Sequence, residues 1–151
     1  MSQRWICIST QANDRITRQK KIWGVSKHYQ KIIGKVKKKD TLVMYVKKEI
    51  VDNKIFPSAF TSIYEVESEV FLDSNTLFET PPAMGNEKFP FRIKVKPINI
   101  FKKPLQLKPL IPKLSFIKNK EMWTGSVRKA MRLISEEDYQ IIVKTAEVEK
   151  Q

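Results

Sequence analysis

The stretch Lys20-Lys21-Ile22-Trp23-Gly24-Val25-Ser26-Lys27-His28 sets a large aromatic against a glycine between cationic flanks. Nucleobases stack on aromatic faces and phosphates are drawn to cations, so this is the elementary kit for holding a nucleotide. The same tryptophan would serve as well in a core, and the two roles differ in what its truncation costs. A stacking wall contributes ~1–3 kcal/mol per base to binding, whereas a buried tryptophan cut to alanine costs about 3–5 kcal/mol of stability. If Trp23 is only a wall, Trp23→Ala leaves the melting midpoint nearly unchanged. Aromatics in or beside loops, Phe78, Phe89 and Phe91, and the polar turn Lys118-Asn119-Lys120 ahead of Trp123 extend the same inventory.

Catalytic patterns are missing. The sequence has no GxxxxGKS phosphate loop, no GxGxxG after a strand and no GxSxG elbow. Its one histidine, His28, would have to be the base of any Ser or Cys triad, and its one cysteine, Cys7, falls in an apolar run that disfavours a thiolate. One histidine and one cysteine form no zinc cluster, the carboxylates are scattered, and nothing calls for a metal or cofactor. The residues favour binding over catalysis.

The charge says what is bound. The 151 residues carry a formal +13 with a pI near 9.8, which points to a polyanionic partner, either nucleic acid or a membrane surface. Residues 1–50 hold a net +10, residues 51–100 a net −2 and residues 101–151 a net +5. A uniform solubilising coat is not expected to divide so unevenly, so a basic face built from the two ends of the chain is predicted. A lone cysteine allows no internal disulfide, no apolar run approaches the ~18 residues of a membrane span, and the N-terminus lacks a signal-peptide pattern. These features place the protein in the cytoplasm as one domain over residues 1–151.

The elements that must position these residues are legible in part. Strands are predicted at 4–9, 41–46, 60–71, 89–101 and 114–117. A helix capped by Asn13 runs to Lys20, with Trp23 in the connection after it, and Ser26 caps a second short helix burying Ile32, Ile33 and Val36. Asp52-Asn53 marks a turn. Residues 74–88, with Pro81-Pro82 and Gly85-Asn86, form a loop long enough to suspect of function. Glu65, Glu67 and Glu69 alternate to one face, as do Arg92, Lys94 and Lys96, so the two rows would neutralise each other on paired strands, with Arg92 the exception nearest the loop. The prolines of 104–112 should wrap outside the sheet. Two helices close the chain, one burying Val127, Ala130, Met131 and Ile134, the other opening at Ser135.

Taken in order, Trp5-Ile6-Cys7-Ile8, Ile22-Trp23-Gly24-Val25, Lys39-Asp40 before Leu42-Val43-Met44-Tyr45, Tyr64-Glu65-Val66, Phe89-Pro90-Phe91-Arg92, Leu114 to Lys120 with Trp123, and Ile134 to Tyr139 resemble the EVE domain family, small UPF0310-type proteins with a PUA-like fold related to YTH domains. The resemblance covers nearly the whole chain. It implies an α+β fold, a closed PUA-like mixed β-barrel with peripheral short helices, and a non-enzymatic pocket for a flipped, modified base of RNA or DNA. Trp23 matches a cage wall, with Gly24 and Val25 beside it. Phe78 or Phe89 would supply the second wall, Asn119 or backbone groups near Gly24 would read the base edge, and Trp123 would join the base-binding set. Lys27, His28, Arg92, Lys118 and Lys120 would hold phosphates. The chain departs from the family at Lys39, where Gly-Asp is usual, and at Pro81-Pro82-Ala83-Met84, where many members are glycine-rich.

Overall fold

The computed structural model describes residues 2–149. Strand β1 (Arg4–Ser9) leads into helix α1 (Gln11–Lys20), strand β2 (Ile22–Val25), a 3-10 turn at Lys27–Tyr29 and the one-turn helix α2 (Gln30–Ile33). Strand β3 (Thr41–Val46), the hairpin β4 (Glu49–Val51) and β5 (Lys54–Phe56), then β6 (Ala59–Val66), β7 (Phe71–Leu72) and the long β8 (Phe91–Gln106) follow. A 3-10 turn at Trp123–Val127, strand β9 (Met131–Ile134) and helix α3 (Glu136–Glu149) complete the chain.

The main sheet runs β2-β8-β6-β3-β1-β9, with β7 beside β8. All its pairs are antiparallel except β1 with β3, which are joined by the α1-β2-α2 crossover. The sheet curls into a half-barrel whose edge strands β2 and β9 do not pair, so the mixed PUA-like architecture stands but backbone closure of the barrel does not.

Strand periodicity splits the core in two. Trp5, Cys7, Leu42 and Met44 point into the curled interior with Trp23, Val25, Ile33, Ile93 and Val95. Ile6, Ile8, Val43 and Tyr45, the alternate positions of the same strands, pack outward against the 107–117 segment and α3. Strands buried on both faces read as unbroken apolar runs, which is why β1 and β3 stand out in the sequence.

Three expectations need correction. Val127, Ala130, Met131 and Ile134 keep helical spacing, yet Met131–Ile134 is the edge strand β9, paired antiparallel to β1. An apolar run that short fits either period, and a vacant sheet edge decides it. Residues 114–117 form turns rather than a strand, held by Asp138, whose carboxylate accepts from the backbone N–H of Ser115 and Phe116 at 2.9 and 3.1 Å. Trp23 lies inside β2 rather than in a connection, opposite Ile93 of β8.

Smaller differences follow known chemistry. Thr10, not Asn13, caps α1, its hydroxyl accepting from the N–H of Asn13 at 3.2 Å. Ser26 begins the 3-10 turn without a side-chain cap bond. Of the mirrored charge rows, Lys96 sits 3.3 Å from Glu65 on paired strands, but β6 stops at Val66, before Glu67 and Glu69. Strand β8 runs through Pro97 and Pro104 before the chain leaves the sheet at Leu107. Asp52 and Asn53, with φ of 49° and 65°, form the left-handed two-residue turn a tight hairpin requires.

Candidate nucleic-acid interface

Position 24 explains the local geometry best. A Cβ there would lie 2.8 Å from the Phe78 ring, 2.8 Å from the Phe89 carbonyl oxygen and 3.1 Å from Cγ of Arg92. Only glycine lets β2 pass this close beneath the 74–90 loop. Trp23, the neighbour on the other side of the pleat, is 4% exposed and belongs to the interior core. It also lines a cavity of about 190 Å³ with Gly24, Val25, Tyr29, Phe78 and Phe89. Being core and being wall are not alternatives here. Its indole N–H has no hydrogen-bond acceptor among the described residues.

The cavity roof is the long loop, and two side chains hold it. Asn13 of α1 donates to the Glu79 carbonyl at 2.8 Å and accepts from the Glu79 N–H at 2.7 Å. Arg92, 1% exposed, donates to the carbonyl oxygens of Asn75, Lys88 and Phe89 at 2.6, 2.9 and 3.0 Å and lies 3.5 Å from Asp73. Burial lowers its pKa while Asp73 works the other way. Its guanidinium also sits 5.4 Å from the centre of the Phe78 ring. Phe89 adopts a left-handed φ of 50°, uncommon for an aromatic residue and sustained only where the surroundings fix it. Glu87 accepts its N–H at 2.8 Å and Arg92 takes its carbonyl, so the backbone is pinned on both sides. Phe78 and Phe89 meet edge to face, 6.1 Å between ring centres.

The structure therefore brings Trp23, Gly24, Val25, Phe78 and Phe89 together and leaves other sequence-predicted residues elsewhere. Arg92 is buried in carbonyls beneath the loop and presents no open face for a phosphate. Lys27 and His28 are exposed, between Ser26 and Tyr29 of the cavity lining, with His28 edge-on to Tyr29 at 4.8 Å. Asn119 caps its own turn, accepting from the N–H of Glu121 and Met122, and Lys120 donates to the Leu114 carbonyl at 2.7 Å. Lys118 lines a separate depression beside Trp5 and Arg132, and Trp123 lines a groove next to the cavity rather than the cavity itself.

Lys47, Arg128, Tyr29 and Asn13, by contrast, line the cavity without any local signal in the sequence. Lys47 follows the last residue of β3 and Arg128 lies in the turn before β9, so only the parallel β1-β3 pairing and the edge strand bring them to one rim. The thiol of Cys7 is fully buried, which pushes its pKa well up and disfavours the thiolate. Among the described residues no group of three His, Cys, Asp or Glu could hold a metal ion, and no helix is long and apolar enough to cross a membrane.

Fold and site together define a PUA-like architecture with an aromatic-walled cavity beside its β2 edge. The chain belongs to the EVE domain family, which it matches over residues 3–145. A UPF0310 protein of Pyrococcus abyssi is 41% identical over 139 residues, 91% of this chain and 95% of that one. Among solved structures, the human THYN1 protein in complex with 5-methylcytosine-containing DNA superposes with a TM-score of 0.63 at 12% identity, over 97% of this chain and 98% of that one. The Pho92 YTH domain in complex with m6A superposes with a TM-score of 0.64 at 15% identity, over 95% and 82%. At such identities the likeness is one of fold.

Proposed function

We propose that this protein reads a modified base in single-stranded or locally opened RNA or DNA by accepting that base, flipped from its strand, between Trp23 and the Phe78-Phe89 pair. The observation that carries this reading is the cavity walled by Trp23, Phe78 and Phe89, with the buried indole N–H of Trp23 left without a partner among the described residues. Buried donors are nearly always paired, and a small shift of the indole on base binding would let this one meet an acceptor on the ligand. About 190 Å³ is below the ~300 Å³ of drug-sized pockets and suits one base. Solved proteins of the same fold hold m6A and 5-methylcytosine-containing DNA, which supports the ligand class.

Binding rather than turnover is the role assigned, since His28 lies outside the cavity lining and Cys7 is sealed in the core. Phosphates flanking the base would meet Lys47 and Arg128 at the rim, with Lys27 and His28 alongside. Titrating oligonucleotides that carry N6-methyladenine or 5-methylcytosine, and their unmodified counterparts, is the direct test. One modified strand should bind at least ten-fold tighter than its counterpart, and Trp23→Phe should erase that difference while leaving charge-driven binding in place. Equal affinity for every modified and unmodified pair would overturn the reading.

A further inference from the structure

A second depression opens beside the base cavity. It is a groove of about 600 Å³ between the β4-β5 hairpin and the 123–128 turn, and it shares Lys47 and Arg128 with the cavity. Its other cations are Lys48 and Lys108, and no carboxylate lines it. All four cationic side chains are exposed, and among the described residues none makes an ion pair. Trp123 packs one part of its surface on the outer core and turns the rest to the groove. Ile55, 64% exposed, also lines the groove, on a hairpin that belongs to neither core.

We propose that this groove holds the nucleotide next to the flipped base, its base stacked on Trp123 and its phosphates on Lys48 and Lys108, the strand crossing from one site to the other over Lys47 and Arg128. This rests on the base-reading cavity. An aromatic face with an unopposed cation row is the pairing by which single-stranded nucleic acid is held without regard to sequence. The continuity of the two lining sets makes the occupant a neighbour on the same strand rather than a separate ligand. The unpaired cations supply the charge complementarity, and Ile55 gives the base a second apolar surface.

The test compares free N6-methyladenosine and 5-methyl-2′-deoxycytidine with single-stranded pentamers carrying the same base centrally. Titrations use the full-length protein, Trp123→Leu and the pair Lys48→Ala with Lys108→Ala. Trp123→Leu should weaken the pentamer about ten-fold, and the lysine pair should flatten the salt slope by about 0.7 unit per lysine. Neither should change nucleoside affinity. If Trp123→Leu does not fold, the exposed lysine pair decides alone. Wild-type pentamer affinity and salt slope in the lysine pair would overturn the groove, as would a deca-glutamate peptide competing as tightly as an unmodified pentamer. Failure of the cavity looks different: modified and unmodified probes bind alike, while the groove variants still weaken the pentamer.

Discussion

Trp5 and Trp23 pack into the same interior core, 2% and 4% exposed, but their indole N–H groups are treated differently. Trp5 donates to Asp40 at 3.0 Å, and the same carboxylate accepts from the backbone N–H of Gln3 and of Lys37. Trp23 donates to nothing among the described residues. Both rings are buried, so burial alone does not separate the two tryptophans. The partner of the polar atom does. Around Trp5 the protein has completed its own hydrogen bonding, and around Trp23 it has left one buried donor without a partner among the described residues.

The largest effect expected is common to both residues. Trp5→Ala and Trp23→Ala should each lose about 3–5 kcal/mol in urea denaturation, because each empties a core site. A wild-type melting midpoint for Trp23→Ala, which a purely peripheral wall would give, would take Trp23 out of the core and end the comparison. Next comes the strut over the Trp23 cavity. Arg92→Met strands the carbonyls of Asn75, Lys88 and Phe89 and should cost on the order of 1.5–3 kcal/mol. It should also speed proteolysis within residues 74–90 and weaken base discrimination with no change in salt slope. A changed slope with an intact loop would make Arg92 a phosphate ligand instead.

The Trp→Phe pair sharpens the contrast itself. Trp5→Phe deprives buried Asp40 of a donor, whereas Trp23→Phe removes a donor that had no partner. Beyond the packing common to both, Trp5→Phe should be the less stable by ~1–2 kcal/mol. Equal losses would mean that the Trp23 N–H is satisfied in the free protein, and the ligand would then have to be read some other way.

What could be read from the chain follows the same division. Runs buried on both faces, β1 and β3, are unmistakable; the Trp23-Gly24 pair stands out by residue type, but the four residues of β2 are too few to show a strand period, and the close approach at Gly24 is visible only in the fold. Lys39 sits at φ 78°, a left-handed backbone position that favours glycine and that this chain fills with lysine. Edge strand β9 was hidden because four residues carry no period of their own. Arg92 was hidden for another reason. Its alternation places it with Lys94 and Lys96 on a solvent face, its nearness to the loop sets it apart from them, and only the loop folded over it makes it the most buried cation among the described residues. The roles of Lys118, Asn119 and Lys120 were unreadable because local hydrogen bonds consume Asn119 and Lys120, while Lys118 lies along another depression.

The smallest effect expected separates Asp14 of α1 from the cavity. Adjacent residues of that helix face different ways: Asn13 ties down the loop, while Asp14 accepts from Thr61 at 3.1 Å and pairs with Arg18 at 3.1 Å. Burial raises the Asp14 pKa above 3.8 and outweighs the lowering by Arg18 and Thr61. The folded state therefore holds this proton more tightly than the unfolded chain does, and stability falls as pH rises from below 3.8 through the folded value. Glu136 runs the opposite way: its pKa is lowered by Arg4, so its contribution is present above 4.5 and lost as pH falls through the folded value. The total curve mixes the two, but subtracting the Asp14→Asn curve from the wild-type curve cancels Glu136. That difference should slope downward with pH across the acid range, and base discrimination should be unchanged because Asp14 does not line the cavity. A flat difference would mean that Arg18 and Thr61 fully offset the burial of Asp14. A loss of discrimination would couple Asp14 to Asn13 and make α1 part of the reading apparatus.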